Sequence, residues 1–148
     1  MTLQNLLRIG RLNAHAPNAT EIQRLLTAAE RNLRDAKVAA VSDETRFDAA
    51  YKAIKQTALV AMMASGFRPA TNEPRHHQTL IQSLPLSCGV DKDAWVVLDA
   101  LRRKRNLSDY TGDSVDADLR SECVAQAEAL VKYVRKWLKQ QHPEMFKV

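Results

Sequence analysis

Glycine and proline are scarce in this chain. Four glycines and five prolines in 148 residues leave little turn chemistry for a sheet protein. Aromatic residues make up 5%, so the side chains that favour strands are also few. The two cysteines, Cys88 and Cys123, stand far apart. That excludes a disulfide scaffold and a paired-cysteine zinc site, and the pair reads as reduced thiols of a cytoplasmic protein. No apolar run approaches the roughly 20 residues a membrane span needs, and no signal-peptide pattern opens the chain, so no membrane partner is expected. Glycine-rich phosphate loops, Ser-His-Asp patterns, internal repeats and low-complexity segments are missing too.

Alanine and leucine are plentiful, and apolar residues reach 45%, enough for one core in one domain. These proportions predict an all-α protein, an antiparallel four- to five-helix up-and-down bundle. Residues 1–148 form its single domain, with 1–18 as a short helix or docked arm and 142–148 as a tail. Ile22, Leu25, Leu26, Ala29 and Leu33 make one helical stripe behind a Thr20 cap. Phe47, Ala50, Tyr51, Ile54, Ala58 and Ala61 make a second, and Thr57–Ala64 is apolar on nearly every side, so this helix should be the most buried. Gly66 and Pro69 stop it, and a loop follows over Arg68–Arg75. Pro74 opens a short helix through His76, His77, Leu80 and Ile81. Asp91 or Asp93 starts another that runs to about Asn106, and Asp116 starts the last. The last helix buries Leu119, Cys123, Ala127, Leu130, Val134, Trp137 and Leu138.

The net charge is +5 and the pI near 9.4, which permits a polyanionic partner without requiring one. The charge is blocked. Arg102, Arg103, Lys104 and Arg105 stand together, acids dominate residues 109–128, and cations return after 129. Helix-dipole complementarity explains such blocks without any ligand.

The string Arg105-Asn106-Leu107-Ser108-Asp109-Tyr110, placed between the last two long helices, resembles the HEPN superfamily (higher eukaryotes and prokaryotes nucleotide-binding domains). A second likeness is Gly66-Phe67-Arg68-Pro69, followed by a helix that opens with His76-His77. The resemblance runs over residues 20–141. It implies a homodimer whose paired motifs line one cleft for RNA or nucleotide. It also implies a place in prokaryotic toxin–antitoxin or defence systems, often beside a small nucleotidyltransferase partner. Active members carry an arginine followed, after four to six residues, by a histidine. The histidine moves a proton at the 2′-hydroxyl or the leaving oxygen, and the arginine orients the phosphate. That chemistry needs no metal, so no metal or other cofactor is expected.

This chain departs at the decisive position, where Tyr110 stands for the histidine. A phenol with a pKa near 10 shuttles protons poorly at neutral pH but can donate a hydrogen bond or stack on a base. Arg8…His15 and Arg135…His142 also match the spacing, yet about one match is expected by chance from this composition. Two readings therefore stand side by side. In one, Arg102, Arg105, Asn106, Asp109 and Tyr110 bind RNA or nucleotide, with little RNase activity. In the other, Arg105 pairs with Asp109 or with acids of the last helix, Tyr110 plugs the bundle end, and the bundle is a non-catalytic interaction or oligomerisation module. A third reading is an active metal-independent endoribonuclease that recruits His76 or His77 from another helix as catalytic groups.

Overall fold

The computed structural model describes residues 1–72, 75–112 and 114–147, and the side chain of Tyr110 lies outside the description. The protein is all-α apart from one small ribbon. Its elements are α1 (Leu3–Arg8), β1 (Leu12–Ala14), α2 (Ala19–Ala36), α3 (Asp43–Ala64), β2 (Phe67–Pro69), α4 (His76–Gln82), α5 (Leu84–Ser87), α6 (Lys92–Thr111) and α7 (Ala117–Gln141). A 3-10 turn, Pro143–Phe146, closes the chain.

Side-chain caps set where the long helices begin. Ser42, Asp91 and Asp116 each accept a hydrogen bond from the backbone N–H three residues on. At α2 the cap is Asn18, which accepts from the Glu21 N–H at 2.9 Å. It takes the place expected of Thr20, because Asn18 is the residue with extended backbone (φ −131°) ahead of the first turn. The helix opening expected at Pro74 falls outside the described residues.

The core lies between α2, α3 and α7, packed antiparallel. Helix α3 is the axis. Ala53, Ile54, Val60, Ala61 and Met62 are all fully buried. Alanines at 50, 53, 58, 61 and 64 let the neighbouring backbones approach. Burying Ile54 alone stabilises the fold by about 2–3 kcal/mol. Thr57 is equally buried and donates its hydroxyl to the Ala53 carbonyl at 2.7 Å, so no polar group is left unmet there. On α7 the inward seam is Cys123, Ala127, Leu130, Val131, Val134 and Leu138. Leu119 and Trp137 only rest against it.

Two features depart from the sequence reading. The ribbon has no counterpart among the expected elements: Leu12, Asn13 and Ala14 pair antiparallel with Pro69, Arg68 and Phe67, which takes Arg68 and Pro69 out of the expected loop. Three-residue strands carry too little alternation to read. Helix α6 also continues about a turn beyond Asn106. Gly112, at φ 72°, supplies the left-handed C-terminal stop there. Arg105, Asn106, Asp109 and Tyr110 are therefore helical residues of the last two turns.

Candidate functional site

One face of α3 repeats at helical spacing: Lys52, Lys55 and Gln56, then Leu59 and Met63. Helix α2 lies alongside and adds Glu21, Arg24 and Leu25. The ribbon brings in Arg68 and Pro69, and the start of α4 supplies His76, His77 and Leu80. Between these elements runs a groove of about 510 Å³, within the range of small-molecule sites. Its floor is aliphatic. Its walls carry two arginines, two lysines and two imidazoles against a single carboxylate, Glu21, which faces the His15 Nε2 at 3.1 Å.

The four cations are Arg24, Lys52, Lys55 and Arg68. Among the described residues, none of them has a carboxylate within ion-pair distance. Like charges held near an apolar floor raise the local positive potential, because the low dielectric screens them poorly.

The residues expected to bind on α6 meet a different environment. Arg102 donates to the Asp99 carboxylate at 2.9 Å, and Arg103 donates to the other oxygen at 2.8 Å. Arg105 donates to Asp109 at 2.8 Å and stands 3.6 Å from Asp48. Its guanidinium also lies over the Tyr51 ring, 5.4 Å from the centroid. Asn106 is exposed. The side chain of Tyr110, expected at the bundle end, lies outside the described residues.

Electrostatics tie Arg105 to the groove although it does not line it. His77 sits exposed at the rim. Partial burial on its groove side, then the charges of Lys55, His76 and Arg105, push its imidazole down to about 4. Lys55 is lowered by the same kind of burial, then by Arg105 and Lys52. Asp48 is raised, chiefly by burial. His77 is accordingly neutral at pH 7. Its ring meets that of His76 edge-on, with centroids 4.2 Å apart.

No known family model and no curated protein matches the chain.

The sequence reading singled out His76 and His77, and both lie on the groove wall. It missed Arg24, Lys52, Lys55 and Arg68. Arg24 and Lys52 stand exposed on α2 and α3, where cations are ordinary, and Lys55 is a half-buried member of the same α3 face. Arg68 depends on the ribbon. Among the described residues, no cluster of three or more His, Cys, Asp or Glu could hold a metal ion. Among those residues, too, no helix is long and apolar enough to cross a membrane. Burial pushes the Cys88 thiol up to about 11 and the Cys123 thiol to about 12, so both remain protonated and inert.

Proposed function

We propose that this protein binds RNA or a nucleotide through the groove between α2, α3 and α4, with the Arg105 end of α6 as a flanking positive surface. The observation that carries this reading is the set of four cations around an aliphatic floor, each without an ion pair among the described residues. Phosphates pair with the cations, and a base covers Leu25, Leu59 and Leu80. The HEPN-like order of helices supports the same ligand class. By that resemblance the protein acts as a homodimer in a prokaryotic toxin–antitoxin or defence system, with a small nucleotidyltransferase as partner. Tyr110, in place of the motif histidine, argues for binding without efficient metal-independent RNase activity.

The interaction-module reading keeps one observation in its favour. Val96 and Leu107, 46% and 48% exposed, lie on the outer side of α6. Apolar residues there suit a docked chain.

Binding of labelled single-stranded RNA, measured at two salt concentrations, separates these readings. Salt-sensitive affinity that Lys52→Glu removes and Arg105→Ala only weakens supports the groove. Affinity lost only with Arg105→Ala moves the site to α6. Absence of binding leaves the interaction module. RNA cleavage in chelator that His77→Ala or His76→Ala abolishes restores the RNase reading.

A further inference from the structure

One of the four groove cations differs from the other three in its surroundings. The chain has nine lysines, all of them described. Eight are exposed, and Lys55 alone is drawn back from solvent. Its place on α3 puts it in the groove wall, with its ammonium nitrogen 5.8 Å from the centroid of the Tyr51 ring. The two carboxylates that act on it electrostatically, Asp109 and Asp48, are both engaged by Arg105. Lys55 is thus left among cations with no ion pair of its own among the described residues.

We propose that Lys55 is a nucleophilic amine, and that the groove receives a small phosphorylated aldehyde or ketone whose carbonyl carbon Lys55 attacks to form an imine. This goes beyond the RNA reading and does not depend on it. Two arrangements favour such chemistry. A lysine set in a partly apolar pocket beside other cations keeps more of its amine neutral at a given pH. Arg24, Lys52 and Arg68, on the same groove, are available to the phosphate, which brings the carbonyl to Lys55.

The step balances without any further reactant. The neutral Nζ adds to the carbonyl carbon, and the carbonyl π pair moves to oxygen, which takes up a proton. Nitrogen loses its two protons as the C–O bond of the carbinolamine breaks and the C=N bond forms. The oxygen leaves as water. His76 and His77, across the groove, are the groups placed to carry those protons. The charges facing Lys55 are Glu21 and Arg24 from α2, Asp48 and Lys52 from α3, Arg68 from β2, His76 and His77 from α4, and Arg105 and Asp109 from α6. Cations outnumber acids even before the imidazoles are counted. That balance agrees with the lowered pKa of the amine. Arg105 serves here as a positioning residue, because it withholds two carboxylates from Lys55.

Pyridoxal 5′-phosphate is a suitable probe, since it carries both an aldehyde and a phosphate. The full chain is incubated with it and reduced with borohydride, and the labelled peptides are mapped. Lys55 is expected to take the label severalfold faster than each of the other eight lysines, and inorganic phosphate should suppress that labelling. Lys55→Arg should lose it while keeping its circular dichroism. Arg105→Gln should shift the pH profile of labelling at Lys55 upward, an effect that loss of packing alone would not produce. Label spread evenly over exposed lysines, label concentrated on Lys52, or labelling indifferent to phosphate would each overturn the proposal. RNA binding is read separately, so either result can fail without the other.

Discussion

Two cationic regions lie close together in this protein, and they have been treated oppositely. The run on α6 is conspicuous in sequence, and its three arginines are paired in the fold: Arg102 and Arg103 share Asp99, and Arg105 divides itself between Asp109 and Asp48. The groove cations come from three elements, Arg24 from α2, Lys52 and Lys55 from α3 and Arg68 from β2, and meet only after folding. Four consecutive charges on a helix point around a full turn, so they cannot address one ligand, and acids three or four places away quench them. The groove cations Arg24 and Lys52 also have an acid three or four places away, Glu21 and Asp48, but neither acid pairs with them. A run of charge in sequence is therefore a weaker sign of a binding surface than a convergence in space.

The largest effect expected from this contrast is on stability. Asp99 has only 3% of its side chain exposed and is held by two arginines. Asp99→Ala leaves Arg102, itself 12% exposed, without its partner. Removing one member of a buried pair costs about 3–5 kcal/mol, and the lower end applies because Arg103 reaches solvent. Chemical denaturation should show that loss, with RNA affinity unchanged wherever the protein remains folded. The pH dependence has a definite sign. Burial alone would raise the Asp99 carboxyl, but hydrogen bonds from Arg102 and Arg103 outweigh it and hold it below its ordinary 3.8. Its contribution is therefore present above about pH 4 and is lost as the pH falls through the depressed value. The variant should lack that acid-side loss.

The opposite result is expected in the groove. Lys52→Glu with Lys55→Glu should weaken RNA binding by more than about tenfold at moderate salt, and should flatten the dependence of log affinity on log salt by about 0.7 for each phosphate no longer neutralised. The midpoint of unfolding should change little, because neither lysine has an ion pair among the described residues. Equal weakening from Arg103→Glu with Lys104→Glu would erase the distinction between the two regions.

Much of the fold was legible because α2, α3 and α7 repeat their apolar residues over many turns, and because Asp116 and the Gly66 stop act through local chemistry. The cap at Asn18 and the extra turn of α6 were less legible. The cap depends on extended backbone at residue 18, which a neighbour could equally have adopted, and the extra turn depends on Gly112, rather than Asn106, taking the left-handed stop. The site was legible only in part. His76 and His77 stood out because histidines are few. Lys55 did not, since its character comes from Arg105 on another helix and from Arg105 holding Asp48 and Asp109.

His77 offers a smaller effect that sharpens the contrast. Its folded pKa of about 4 lies below the ordinary 6.5, so between those values the unfolded chain binds more protons. Stability from this residue therefore rises with pH across that window and is lost as pH falls. An anion in the groove favours the protonated ring and raises its pKa. RNA affinity should then strengthen as pH drops from 7 toward 5, and His77→Gln should remove part of that gain. Titrated anisotropy measures it. An affinity unmoved by pH in both proteins would place the bound phosphate away from α4.

The smallest effect tests where the boundary between the two regions falls. Arg105 and Asp109 form an exposed i,i+4 pair, with side chains 27% and 48% accessible. Such pairs contribute about 0.3–0.5 kcal/mol, and less when the base precedes the acid, as here. Asp109→Asn should accordingly shift the thermal midpoint by little. Its effect on binding is more telling, because it removes a negative charge and loosens Arg105, leaving Asp48 as its remaining carboxylate. A modest gain in RNA affinity means that Arg105, once loosened, joins the groove cations. A gain as large as the drop caused by Lys52→Glu would make Arg105 a masked member of the site. Weakened affinity would mean that Asp109 holds Arg105 in its binding position, and the paired cations of α6 would then belong to the interface after all.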